Sequence, residues 1–173
     1  IKLPGLVSGQ ITSIAGSATT IWVTTFGQSQ GFGIAGGAGI LQGDRNADGS
    51  IEWDYGWSLS AQSRGNDIEL IGNDLYVTTS PAGLYKLDVQ TQQLTTYTGA
   101  LHNSHYGMVK TGNDLVIGLS GQGNSIPGVQ VFNINSQTFT QGKLIAGLPS
   151  PIINGFGSTS DVMYIATNGG IGR

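Results

Sequence analysis

The sequence predicts an all-β fold assembled from a repeated strand unit, and three observations carry that reading. One strand pattern comes round four times, as Ile21-Trp22-Val23-Thr24-Thr25, Leu75-Tyr76-Val77-Thr78-Thr79, Leu115-Val116-Ile117-Gly118-Leu119 and Met163-Tyr164-Ile165-Ala166-Thr167. The starts lie 54, 40 and 48 residues apart, and all-strand repeats of about 40–50 residues have the spacing of propeller blades. The same turn, Gly72-Asn73-Asp74 and Gly112-Asn113-Asp114, precedes the second and third copies. Finally, 29 of the 173 residues are glycine while 38% are hydrophobic. The apolar residues fall in short alternating runs between Gly, Asn, Asp and Ser clusters, and no run keeps helical spacing beyond a turn or two. The predicted architecture is a β-propeller of four-stranded antiparallel blades, about three and a half to four of them in this chain.

In each blade the innermost strand lines the central channel. Residues 11–15, 67–71, 106–110 and 155–158 are the inner-strand candidates. A tight turn leads from each to the repeated second strand. The third strand opens with glycine at Gly39, Gly83, Gly128 and Gly170, where a chain reversal calls for positive φ. Outer strands follow at residues 51–55, 94–98 and 138–141. The blades then span approximately 11–60, 67–101, 105–147 and 154–173. Trp22, Tyr76, Phe132 and Tyr164 read as inter-blade packing.

Ile1-Lys2-Leu3-Pro4-Gly5-Leu6 resembles residues 143–149, which leave the third blade. Residues 1–6 therefore read as the outer strand of a preceding blade or of the fourth. Either they close a four-bladed ring or the chain is part of a larger propeller, and the second reading is preferred. An unclosed part exposes strand edges that invite pairing with another chain.

Net charge is −3, and the seven Lys and Arg are scattered. No basic stripe exists to displace counterions from a phosphate backbone, so nucleic acid is not an expected partner. No apolar stretch approaches the ~20 residues of a membrane-spanning helix. The absence of cysteine excludes disulfides and thiolate metal sites. Low charge with abundant Gly, Ser, Thr and Asn fits a secreted, periplasmic or cell-surface setting.

At these residues the chain resembles the extracellular propeller repeats of two-component-regulator type. Their pattern is an inner Ile-x-x-Ile strand, then Asn/Asp-x-Leu-aromatic-Val/Ile-small-Thr, then Gly-Leu/Ile. Here it reads Ile11-Thr12-Ser13-Ile14, Asn73 through Thr79 with Gly83-Leu84-Tyr85, and Met163 through Ile171. Insertions at residues 28–37 and 121–127 depart from it. The resemblance implies a fold and an extracytoplasmic setting, and no catalytic residue, since such blades serve sensing, binding and enzymatic proteins alike.

One motif is sharper. Asp44-Arg45-Asn46-Ala47-Asp48-Gly49-Ser50-Ile51-Glu52 fits D-x-[DN]-x-D-G-x-x-[DE]. Alternate oxygen donors on a curling loop can wrap a hard cation such as Ca²⁺, with Gly49 at the bend. The expected ligands are Asp44, Asn46, Asp48, Glu52 and the Ser50 carbonyl, holding a structural Ca²⁺. The loop resembles the calcium hairpins of integrin-type propellers. A metal-free polar turn and a sialidase-type Asp-box hairpin are the alternatives.

Candidates for chemistry are sparse. His102 and His105 sit in the loop before an inner strand, where propeller loops rim the mouth of the channel. Arg64 and Glu69 are the charged residues expected near them. These four form a candidate ligand-binding set, with no spacing specific to a reaction. No catalytic residue is assigned. The leading expectation is a binding or assembly module that engages another protein chain or the rest of a larger propeller, with a glycan as a further ligand class. The alternative is a carbohydrate-active enzyme, a lyase or glycosidase, working at the channel mouth.

Overall fold

The computed structural model describes residues 10–26, 38–60, 64–100, 104–119, 128–140, 142–144, 148–150, 152–159 and 162–172. Residues 1–6, both insertions (28–37 and 121–127), His102 and Asp161 lie outside the described residues.

The described chain is all β, in four antiparallel sheets. Blade 1 runs β1 (Gln10–Gly16), β2 (Thr20–Phe26), β3 (Ala38–Arg45) and β4 (Ile51–Ser60). Blade 2 runs β5 (Arg64–Ile71), β6 (Asp74–Ser80), β7 (Gly83–Asp88) and β8 (Leu94–Tyr97). Blade 3 has β9 (His105–Thr111), β10 (Asp114–Leu119) and β11 (Gly128–Asn133), with two short outer pieces, β12 (Thr138–Phe139) and β13 (Lys143–Leu144), both paired to β11. Blade 4 shows β14 (Ile153–Ser158), β15 (Met163–Thr167) and β16 (Gly170–Gly172).

The turns explain the strand spacing. Ile71 pairs with Asp74, which leaves Gly72-Asn73 as a two-residue hairpin loop. Gly72 takes φ +61 and its counterpart Gly112 +59. Such loops twist with the flanking strands only when a residue of positive φ opens them. Gly83 and Gly170 also take positive φ, +98 and +131, as expected for the reversal into a third strand, whereas Gly39, paired within β3, does not.

Asp88 and Asn133 do turn work. Asp88 Oδ1 accepts from the N–H groups of Gln90 and Thr91, both at 2.9 Å. Asn133 Oδ1 accepts from Ser136 N at 2.9 Å, while its Nδ2 donates to Asp114 Oδ1 at 2.7 Å.

Packing lies between blades. Trp22, Ile40 and Leu59 of blade 1 meet Ile68, Leu75, Val77, Tyr85 and Leu87 of blade 2. Tyr76 and Leu84 on the opposite face of blade 2 meet Met108, Leu115, Ile117 and Phe132 of blade 3. Val129 of blade 3, with Val116, meets Ile153 and Ile165 of blade 4. This settles the side-chain register of β7. Leu84 and Leu87 are both buried because the strand is covered on both faces, one residue against each neighbouring blade. Burying an aliphatic side chain of this size contributes roughly 1.5–3 kcal/mol.

One packing expectation is corrected. Trp22, Tyr76 and Phe132 sit in inter-blade cores, but Tyr164 is exposed. Met163 and Ile165 face blade 3. Tyr164, alternating with them along β15, points to the side where a further blade would stack.

The inner strands lie side by side in the order β1, β5, β9, β14. Among the described residues β1 and β14 do not pack together as the successive inner strands do.

Candidate functional site

The inner strands share a local irregularity that strand periodicity does not reveal. Pairing with the second strand slips between Ile11 and Ser13, between Gly65 and Asp67, and between Ile153 and Gly155. The extra residues are Thr12, Asn66 and Asn154. A β-bulge re-aims a side chain, and here each bulged side chain is polar and bonded. Thr12 Oγ1 lies 2.9 Å from Thr24 Oγ1. Asn66 Nδ2 donates to the His105 carbonyl at 2.6 Å, linking blade 2 to blade 3. Asn154 Nδ2 donates to Asn168 Oδ1 at 2.7 Å. Blade 3 shifts register between Ile117 and Leu119, at the same end of its inner strand.

Next to the bulge, Asp67 joins three inner strands. Its Oδ1 accepts from Ser13 Oγ of β1 at 2.7 Å and from Ile68 N at 2.9 Å. Its Oδ2 accepts from Met108 N of β9 at 2.9 Å. An ionised acceptor strengthens each bond relative to a neutral one. Thr78 Oγ1 adds a bond to the Tyr106 carbonyl at 2.7 Å, and Ser80 Oγ one to Ser104 Oγ at 3.0 Å. Sequence reading placed Asp67 at the start of an inner strand. Its bridging role depends on two strands distant in sequence and had no local signal.

Glu69 lies two residues along β5 and is half-buried. Burial pushes its carboxyl above the usual glutamate range, and the Asp67 charge pushes the same way. The Lys110 backbone N–H and ammonium pull it back in part. Arg64 is exposed at the start of β5, its guanidinium 5.8 Å from the Phe26 ring centroid. Contacts of this kind contribute about 0.5–1 kcal/mol at exposed sites.

His105 is placed differently from its expectation. It opens β9 rather than lying in a rim loop, and it is fully buried. Its ring centroid is 5.8 Å from that of Phe139. The ring also lies near Gly83, where an added Cβ would make ordinary contact, 4.0 Å from His105 Cε1. The imidazole is packed at the boundary of blades 2 and 3, so it is not part of an open rim. Arg64 and Glu69 share β5, whereas the His105 ring is buried against Phe139.

The Asp44–Glu52 hairpin closes through its own hydrogen bonds. Asn46 N donates to the Ser50 carbonyl at 2.9 Å, and Gly49 N to the Asn46 carbonyl at 3.0 Å. Asp48 Oδ1 accepts from Ser50 N at 2.9 Å and Ser50 Oγ at 2.6 Å. The two Ser50 bonds hold the Asp48 carboxyl below the usual aspartate range. Asp44 and Glu52 face each other in register at the base of the hairpin. Gly49 takes φ +84 at the bend. Among the described residues no three His, Cys, Asp or Glu side chains gather as a metal-holding group. The donors stand on one hairpin, where Asp48 Oδ1 and the Ser50 carbonyl each accept bonds within the turn.

No family model matches the chain, and no curated protein matches it by sequence. Solved structures show the fold. The computationally designed Ika4 protein superposes with a TM-score of 0.69 at 13% identity, over 99% of this chain and 93% of that one. The WD40 domain of Neurospora crassa Pan2 does so with a TM-score of 0.66 at 11% identity, over 95% of this chain and 46% of that one. The extracellular domain of a hybrid two-component system from B. thetaiotaomicron gives 0.59 at 14% identity, over 94% of this chain and 24% of that one. The chain spans nearly all of the designed protein and less than half of the other two. The fold is that of a β-propeller.

Proposed function

We propose that this chain is a secreted, periplasmic or cell-surface propeller module that acts by binding and assembly. One observation carries the reading. The polar side chains at the inner strands are engaged in stitching blades together, with Asp67 bonded to Ser13 and Met108 and Asn66 to His105. Groups committed to structural bonds hold a rigid scaffold, and rigid scaffolds present loops for recognition. The extracellular setting of the two-component neighbour supports the localisation. The partner is a protein chain, with a glycan as the further ligand class and exposed Arg64 at the rim as a contact.

The test is paired. Peptide and glycan arrays are probed with the chain and with Arg64→Ala, and the same glycans are assayed for cleavage. Binding without turnover, weakened by the substitution, is expected.

A second reading draws on Glu69. A carboxyl that holds its proton above the usual range is suited to general-acid work on a glycosidic bond. Glycan cleavage that disappears in Glu69→Gln would establish the enzyme and overturn the binding reading.

The Asp44–Glu52 hairpin belongs to this proposal in one further respect. A structural Ca²⁺ would be held by Asp44, Asn46, Asp48, Glu52 and the Ser50 carbonyl. Its role would be to brace the β3–β4 hairpin.

A further inference from the structure

The sequence holds two Asn-Gly pairs, Asn154-Gly155 and Asn168-Gly169. The fold brings them together in blade 4. Asn154 is the bulged residue of β14, and Asn168-Gly169 is the two-residue loop between β15 and β16, closed by the Thr167–Gly170 pair. Both asparagines are exposed. An Asn-Gly pair is chemically labile, because the glycine nitrogen can attack the asparagine Cγ with no side chain in its way. The attack closes a succinimide ring and expels ammonia.

The surroundings of the two pairs differ. Asn154 Nδ2 donates to Asn168 Oδ1 at 2.7 Å. That bond polarises the Asn168 Cγ and is placed to hold the oxygen as it gains negative charge, as a pre-positioned donor does for a tetrahedral intermediate. On the attacking side, Gly169 N donates to Thr167 Oγ1 at 3.2 Å, and Thr167 Oγ1 donates onward to the Gly170 carbonyl at 2.8 Å. Asn168 N donates to the Ile152 carbonyl at 3.2 Å, which anchors the loop. Position 169 takes only glycine, since a Cβ there would stand 2.5 Å from the Pro149 carbonyl oxygen. Packing therefore imposes the labile pair. Asn154 lacks this support. Its amide is the donor in the shared bond, and Gly155 is paired with Ala166 inside the sheet.

We propose that Asn168 is a self-modifying site, converted to aspartate or isoaspartate by its own loop with Asn154 as the polarising donor. Gly169 N gives up its proton, held on the side of Thr167 Oγ1, to solvent hydroxide and bonds to Asn168 Cγ. The Cγ–Nδ2 bond then breaks, and ammonia leaves with a proton supplied by water. Water next opens the succinimide. Attack at Cγ restores the normal backbone and leaves an aspartate. Attack at the backbone carbonyl leaves an isoaspartate, with the chain running through the side chain. Nothing is oxidised or reduced, and each product gains one negative charge. The aspartate product keeps the bond from Asn154 Nδ2 and strengthens it, because the acceptor is now ionised. The isoaspartate product adds a backbone atom to a two-residue loop and loosens the pairing of β15 with β16.

The site is independent of the binding reading above. The test incubates the folded chain in mildly alkaline buffer and follows both pairs by peptide mass spectrometry. Fragmentation assigns the mass gain of an amide turned acid to one asparagine or the other. Asn168 should lead Asn154 by about three- to tenfold, the worth of one hydrogen bond to the reacting oxygen. In urea the two rates should converge, since each pair is then a plain Asn-Gly in an open chain. Asn154→Ala, at an exposed position, should keep the circular dichroism spectrum and slow Asn168 by the same factor. Equal rates in the folded chain overturn the proposal, and so does an Asn168 rate lower in the folded chain than in urea. Asn154 reacting first would mean that the shared bond runs from Asn168 to Asn154, which overturns the assignment. An Asn168 rate untouched by Asn154→Ala removes the polarising donor and the proposal with it. The comparison of the two pairs needs no variant, so it stands even if the substituted chain misfolds.

Discussion

Replacing Asp67 by Ala tests whether the blades are held together at their inner edges. The carboxylate accepts one bond from Ser13 in blade 1 and one from Met108 in blade 3, besides the local bond to Ile68 N. Hydrogen bonds to a charged group contribute about 1.5–3 kcal/mol each. Removal also leaves the amide of Met108, a buried residue, without its acceptor. The two long-range bonds belong to one group, so their losses do not simply add. About 3 kcal/mol is expected. For a chain of this length each 1 kcal/mol moves the melting temperature by about 2–4 °C, so the shift should be about 6–12 °C. Asp67→Asn keeps one acceptor and should lose roughly half as much. Urea titration measures the loss, and hydrogen exchange at the Met108 amide reports whether β9 has been released. A loss below about 1 kcal/mol, with Met108 exchange unchanged, would refute the stitching argument.

Other outcomes follow from the same geometry. Leu84→Ala should cost about 2–5 kcal/mol, and Ile171→Ala, its register equivalent, under about 0.5 kcal/mol, as measured by urea titration. Glu69 has a folded-state carboxyl raised by burial. Its contribution is therefore fully present below the unfolded glutamate value and is lost as pH rises through the folded one. Glu69→Gln should exceed the unmodified chain in stability near neutral pH, and the difference should vanish in acid. A difference that grows on acidification would reverse the sign and reject the burial argument. If the Asp44–Glu52 hairpin takes Ca²⁺, millimolar calcium should raise the melting temperature relative to chelator, and Asp48→Ala should abolish the rise. Identical melting curves would leave the metal-free turn as the working state.

Much of the fold was legible because strand spacing and turn chemistry are local. The four second strands declare themselves as apolar runs, and Gly72 and Gly112 mark the loops by the positive φ that they adopt. The bulges at Thr12, Asn66 and Asn154 were not legible, since an inserted residue leaves the apolar pattern almost unchanged. Nor was the fate of Tyr164. Its sequence context matches Tyr76, but burial is conferred by the neighbouring blade and not by the strand itself. His105 shows the same limit in reverse. A histidine before a strand reads as solvent-facing, yet Gly83 and Phe139, distant in sequence, enclose it. The hairpin motif was legible as a set of oxygen donors, whereas their engagement by Ser50 depends on how the turn closes.

Blades that bury their apolar side chains against one another draw stability from their neighbours, so stability becomes a sum of unit and nearest-neighbour terms. Among the described residues blade 4 has the smallest sheet, three strands, and packs on blade 3. Fraying should start there and advance inward, giving a gradient of amide protection that rises from β16 toward β6.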